Sequence, residues 1–389
     1  MAVSVERVRD VIRRSGRDED KPPSESDTVR LVGLYVLSIA VALVITGLLV
    51  ELVHHSATSV FHAMYSGSLG SAGALGQTFN AAAPVLLIGL GSLISVRAGM
   101  FNIGQTGQLL VGAIAAGFIV LKIHGLPGPL LLILGLICAF VAGAVWAGVS
   151  ALLKIKSNID VVISTLLMGY VAAQLLTYVV SSQALLRQPN LAAAGGLAQS
   201  AEVPANARLP QTGQSPSFGV SAAVLIALVI LAVLAILLSR SQWGIHLRMV
   251  GFNPVAARRF GVRVATIAGG ALILSGALAA LTGGIMLTSS AYGTFRIQPG
   301  FDNNFGNDGL LAALVCRDRP LALIPVSFFF GAIINGGNFL LATGVPNYLG
   351  QVLQSLLVLA AVFPPVFLER KQWARRIRQS HNELLLEAA

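Results

Sequence analysis

The sequence predicts an all-α, polytopic membrane protein of about ten transmembrane helices, with both termini cytoplasmic. Three observations carry that prediction. Of the 389 residues, 55% are hydrophobic and only 11% are charged, against ~25% charged in ordinary soluble domains. The mean hydropathy of +0.78 leaves too few polar side chains to cover a soluble fold of this size. The apolar residues also gather into runs, most of them near the ~20 residues that cross a bilayer.

The runs fall at 31–53, 79–96, 101–121, 129–151, 160–181, 219–238, 265–288, 308–315, 321–341 and 349–368. The run at 308–315 is too short to span alone; it is half a helix or extends back through Asn303 and Asn304. The runs at 79–96 and 101–121 are separated only by Arg97-Ala98-Gly99-Met100, a tight turn or a break inside the membrane.

Positive charge sets the orientation. With both termini inside, the inside regions (1–30, the Arg97 turn, 152–159, 239–264, 316–320 and 369–389) hold 22 of the 26 Lys and Arg residues. The outside regions hold only Lys122, Arg187, Arg208 and Arg296. Such a bias is the positive-inside signature. The net charge of +10 therefore reads as topology signals and headgroup anchors, and nucleic acid is not an expected partner.

Residues 1–30 form a polar cytoplasmic tail expected to be disordered, 31–368 the transmembrane domain, and 369–389 a basic cytoplasmic tail. Three stretches read as non-membrane: a Ser/Gly/Ala-rich one at 54–78, an outside loop at 182–218 and a cytoplasmic loop at 239–264.

Within the last of these, Asn253-Pro254 is a helix start, an N-cap residue followed by proline at the first helical position. Gly261 suits a C-terminal stop. The spacing predicts a short helix over 253–260, with Ala256 and Ala257 small enough for close approach and Arg258 and Arg259 available to acidic groups or lipid phosphates. Two roles fit it, an interfacial anchor or a docking helix driven by a cytoplasmic motor.

Asn102, Gln105, Thr106 and Gln108 stand at the head of an apolar run, with Gly104 and Gly107 among them. Buried amides require hydrogen-bond partners, so this block lines a translocation pathway or joins helices. Ser164 and Thr165 pose the same choice. Asp302, Asn303, Asn304, Asn307 and Asp308 form a polar cluster on the outer side, a ligand site or a solvated loop. Cys138 and Cys316 lack metal-ligand spacing, and no Ser/His/Asp set or paired carboxylates appear. No catalytic or metal residue is therefore assigned. No P-loop is present, so the chain is not expected to bind ATP itself.

The cytoplasmic stretch Gly244, Arg248, Val250, Gly251, Asn253, Pro254, Ala256, Ala257, Arg258, Gly261 and Val262 resembles the coupling loop of ABC importer permeases for simple sugars and nucleosides. Ala98-Gly-Met-Phe-Asn-Ile-Gly-Gln-Thr-Gly-Gln through Ala113, Ile163-Ser-Thr-Leu166 with Tyr170, and Ala342-Thr-Gly-Val-Pro346 with Val352-Leu-Gln354 are similar to further blocks of that family, in the same order. Thr106 stands where the family usually has Glu, and Gly169 where it often has Asn. The stretch 302–319 is also more polar than its counterpart in the family.

The resemblance implies a non-enzymatic permease subunit of an ATP-driven importer in the bacterial plasma (inner) membrane, working by alternating access. It implies a coupling helix carrying Gly251, Asn253, Pro254, Ala256, Ala257, Arg258 and Arg259, and a pathway at Asn102, Gln105, Thr106, Gln108, Ser164 and Thr165. The expected partners are ABC ATPase subunits holding ATP and Mg, a second, homologous and non-identical permease chain, an extracytoplasmic substrate-binding protein and the bilayer. The rival is a secondary transporter driven by an ion gradient, which favours mid-membrane charges and broken helices in both halves.

Overall fold

A computed structural model describes residues 25–52, 56–189, 198–213, 218–292, 295–316 and 319–342, with isolated positions between 352 and 360. The tails before 25 and after 360, and most of the run at 349–368, lie outside the described residues. The chain divides into two units, residues 1–49 with 355–389, and residues 50–354.

The described chain is almost wholly helical. In order come α1 (Glu25–Leu52), α2 (Ala57–Ser68), α3 (Ala72–Arg97), α4 (Gln105–Lys122), α5 (Gly128–Ser157), α6 (Val161–Ser181), α7 (Ala222–Arg240), α8 (Gln242–Phe252), α9 (Pro254–Arg259), α10 (Val264–Thr288), α11 (Phe305–Cys316) and α12 (Leu323–Ala342). A two-residue hairpin, β1 (Gln211–Thr212) with β2 (Val220–Ser221), interrupts the outer loop. Among the described residues, seven helices are long and apolar enough to cross a membrane, or eight if Val36–Leu52 and Ala57–Ser68 form one span.

Most of α1 belongs to the first unit and exposes an apolar surface including Val36, Leu37, Val41 and Val44. Residues 25–30, expected in the polar tail, are its first turns.

The second unit is built around α3 and α10. Helix α10 packs on α3, α4 and α5, while α3 also meets α7, α11 and α12. Between lipid-solvated helices there is no hydrophobic driving force, so association depends on close packing of small residues. The sequence supplies them in matching rows. Gly276, Ala280 and Gly284 of α10 lie against Gly143, Ala147 and Ala139 of α5. On the α4 side, Gly112 meets the backbone of Ala280 so closely that a β-carbon there would overlap it. The opposite face of α5 exposes Ile133, Ile137, Val141 and Val145 at every fourth residue, which is a lipid-facing stripe.

Two expected loops contain helix. The stretch 54–78 holds α2 and the first turns of α3. Ser71 caps α3 by accepting from Ala74 N at 3.1 Å, and Asn335 of α12 donates to Gly67 O at 2.7 Å and Ala74 O at 3.2 Å. One amide thus holds the α2–α3 corner, which its Ser/Gly/Ala composition had disguised as loop. The cytoplasmic loop likewise contains α8, capped by the Ser241 hydroxyl, which accepts from Gly244 N at 3.2 Å.

The long outer loop is tied down by backbone. Ser200 N donates to Ile297 O at 2.9 Å, Val203 N to Phe295 O at 3.0 Å and Leu209 N to Thr288 O at 2.8 Å. Glu202 joins Arg208 and Arg296, and the Arg208 guanidinium lies 3.8 Å from the Phe295 ring centroid.

Gly112→Val is expected to destabilise the detergent-solubilised protein by about 1–3 kcal/mol through overpacking, read as a lower melting temperature. Gly148→Val, on a face with open space around it, should leave that temperature essentially unchanged.

Candidate functional site

Two regions carry the predicted site residues, a buried polar cluster within the bundle and the short helix α9 at one end of it.

The cluster forms where the chain breaks between α3 and α4. After Arg97 the chain turns at Gly99, whose φ of +72° suits a residue without a side chain, and α4 begins only at Gln105. Asn102 fills the break. Its Nδ2 donates to Gln108 Oε1 at 2.9 Å and to Ser275 Oγ at 3.0 Å. Its Oδ1 accepts from Gly104 N at 3.0 Å and from Gln108 Nε2 at 3.3 Å. Gln105 Nε2 donates to Ser92 Oγ at 2.5 Å and to Ser275 Oγ at 3.3 Å. All five side chains are buried. Ser275 lies at the middle of α10, and the cluster links it to the last turns of α3 and the first turn of α4.

Of the other predicted pathway residues, Thr165 accepts from Ile103 N at 3.2 Å and donates to Val161 O at 2.7 Å, so it braces the break from α6. Ser164 bonds only within its own helix, to Val161 O at 3.2 Å, and stands apart from the cluster. Thr106 Oγ1 is directed at Gly306 in the first turn of α11, where a β-carbon would overlap it. Ser92 and Ser275 belong to the cluster and were not singled out from the sequence. Isolated serines in apolar helices give little signal, because most satisfy themselves on their own backbone.

Thr106 also fixes where α11 begins. With only 12 residues, α11 is ~18 Å long at 1.5 Å per residue, well short of the ~30 Å hydrocarbon core. The short run is therefore a half-helix that starts at the depth of the cluster. The turn before it holds Asn303 and Asn304 at φ 42° and 62°, and Asp308 is buried in the first helical turn.

On the cytoplasmic end, Asn253 caps α9, its Oδ1 accepting from Val255 N and Ala256 N, each at 3.0 Å. Pro254 opens the helix. Gly261, at φ +83°, closes it: Gly261 N donates to Arg258 O at 3.1 Å and Val262 N to Ala257 O at 3.0 Å, the paired bonds of a Schellman stop. Ala257 is buried against the chain itself, whereas Arg258 and Arg259 are exposed. The large side chains left outward are Phe252, 85% exposed, Val255, 65%, and Phe260, 78%. They were not singled out from the sequence, where they read as ordinary apolar positions. Phe252, Phe260 and Met249 line a surface cleft of ≈ 370 Å³ between α8 and α9.

The α8–α9 unit also packs on α10 and makes two further close contacts with the bundle. Arg248 donates to Leu238 O at 3.4 Å, at the C-terminal end of α7. Gly251 lies against Arg97 O, where any β-carbon would overlap the carbonyl. The end of α8 thus touches the turn leading into the cluster.

Comparison with known proteins agrees with this architecture. The family model described as the permease component of the branched-chain amino acid transport system matches residues 74–362. The glucose ABC transporter permease protein TsgB13 of Haloferax volcanii is 32% identical over 86% of this chain and 88% of its own length. The guanosine ABC transporter permease protein NupP of Bacillus subtilis is 29% identical, over 85% and 93%. The nucleoside ABC transporter permease protein NupB of Lactococcus lactis is 22% identical, over 76% and 80%. No solved structure matches. The chain belongs to the ABC transporter permeases, in the simple-sugar and nucleoside family. It is a multi-pass membrane transport subunit, not an enzyme, and the reading as an ion-gradient transporter is set aside. Membership implies ATPase and binding-protein partners in general.

Asn102→Leu should cost about 1–3 kcal/mol for each buried group left unpaired, whereas Ser164→Ala should cost little. Thermal unfolding in detergent, followed by size-exclusion chromatography, separates them; equal losses would contradict the cluster's role. Asn253→Ala should cost about 1 kcal/mol of local helix stability, read as faster amide exchange at Val255 and Ala256.

Proposed function

We propose that this chain is one of two permease halves of an importer in the bacterial plasma membrane, carrying uncharged, hydroxyl-bearing solutes such as glucose or a nucleoside. The second half is a homologous, non-identical chain. A binding protein delivers solute to the outer face, and separate ATPase subunits hold ATP and Mg.

The observation that carries the coupling role is the exposed apolar face of α8–α9. Phe252 at the end of α8, and Val255 and Phe260 on the capped α9 and its C-terminal stop, project outward from a unit held against the bundle. Burying each such side chain in a partner's groove contributes about 1.5–3 kcal/mol, and Arg258 and Arg259 flank them for acidic groups. The mechanism is a rigid-body switch: closure of the ATPase pair moves α9, and α8 transmits the movement through the Gly251–Arg97 contact.

The substrate class follows from the relatives' names together with the chemistry of the cluster. Ser92, Asn102, Gln105, Thr106, Gln108 and Ser275 offer only amides and hydroxyls. Such groups match sugar hydroxyls, while a zwitterionic amino acid needs charged partners in a dry site.

The test is uptake of radiolabelled glucose and guanosine by the assembled transporter in proteoliposomes. Phe252→Asp with Phe260→Asp should reduce ATP-dependent uptake at least about tenfold, the effect of losing ~1.4 kcal/mol or more of docking, with the chain still inserted. Undiminished uptake would reject the coupling role, and uptake of neither solute would reject the substrate class.

A further inference from the structure

Two irregular segments lead into α4 and α11. One is the chain from Gly99 to Gly104, rising to the start of α4. The other runs from Ile297, which is held at the outer loop by Ser200, down to the start of α11. Non-helical backbone at membrane depth is tolerated only where it is buried in protein or lines a cavity. Interrupted segments are the usual setting of transport sites. The first turns of the two helices they lead into touch at Thr106 and Gly306.

The second observation is unsatisfied polarity at that contact. Gln105 Oε1 and Thr106 Oγ1 are buried without a hydrogen-bond partner, and Gln105 is only 1% exposed. The buried threonines Thr46, Thr165, Thr282 and Thr288 each donate to the carbonyl four residues earlier, and Thr78 donates to Ser68 O. Thr106 stands in the first turn of α4, with the residue four earlier, Asn102, in the break, and it faces Gly306 instead. A buried hydroxyl left open costs about 1–3 kcal/mol, so Thr106 Oγ1 points to a group that binds there in another state of the cycle.

We infer that Thr106 binds a hydroxyl of the transported solute, and that Gly306 on α11 is the stop that covers it when no solute is present. This rests on the proposed importer of hydroxyl-bearing solutes. The fit requires glycine at 306, because any side chain there would collide with Thr106 in the closed state. Gly309, packed equally closely on Ile88 and Gly89 of α3, holds the half-helix in register.

Two measurements decide it. In the assembled transporter, Thr106→Val should raise the KM for uptake about tenfold, the loss of one hydrogen bond of ~1.4 kcal/mol. Thr106→Ser should restore the KM. A Thr106→Val transporter with wild-type KM would overturn the assignment. The second measurement needs no known solute. With Cys138→Ala and Cys316→Ala as background, Thr106→Cys should react slowly with a hydrophilic methanethiosulfonate at rest and much faster during ATP hydrolysis. A rate indifferent to ATP would overturn the stop. If the wild type takes up neither glucose nor guanosine, the substrate class fails, while the labelling rate still decides whether Gly306 covers Thr106.

Discussion

The interior of a bilayer offers no water, so polar backbone and side chains within it must find partners inside the protein. In this chain that constraint bears on one place, the break between α3 and α4. There Asn102 satisfies a backbone amide, a glutamine and a serine of another helix at once. Without it, Gly104 N, Gln108 and Ser275 would lose a partner inside the bundle. With it, the start of α4 is joined to the middle of α10 by one side chain.

The cytoplasmic surface depends on the same break. Helix α8 ends on the Arg97 carbonyl, and the turn after Arg97 leads within a few residues to Asn102. The exposed apolar face of α8–α9 is thereby joined to the break that holds Asn102 through a backbone contact, with no long flexible side chain between. The outer loop is tied to the strand-like segment that feeds α11, so each end of the bundle reaches the centre through one irregular segment.

Much of this was legible in the sequence, and the gaps have physical causes. Long apolar runs gave the membrane helices, because a run of that length has one stable conformation in a bilayer. Asn253, Pro254 and Gly261 gave α9 nearly to the residue, since cap chemistry is local. The amides at 102, 105 and 108 announced a cluster, but its other half did not. Ser92 and Ser275 look like any helical serine, and only packing brings them together. The stretch holding α2 was read as loop because Ser, Gly and Ala are also the residues that let helices approach. Asn335, 250 or more residues away from the carbonyls it holds, could not have been paired with them by inspection. Nor did the sequence separate Ala257, which faces the protein, from Phe252 and Phe260, which face outward, because α9 is too short to show a period.

The central claim is that this subunit is driven by ATP bound to a partner and not by a gradient that it harvests itself. The direct measurement is initial uptake of labelled solute into proteoliposomes containing the assembled transporter. It would be compared with internal and external ATP and with imposed proton or sodium gradients. Uptake that appears only with ATP on the side of the ATPase subunits, and is indifferent to collapse of either gradient, is the predicted result. Uptake by this chain alone under an ion gradient would contradict it.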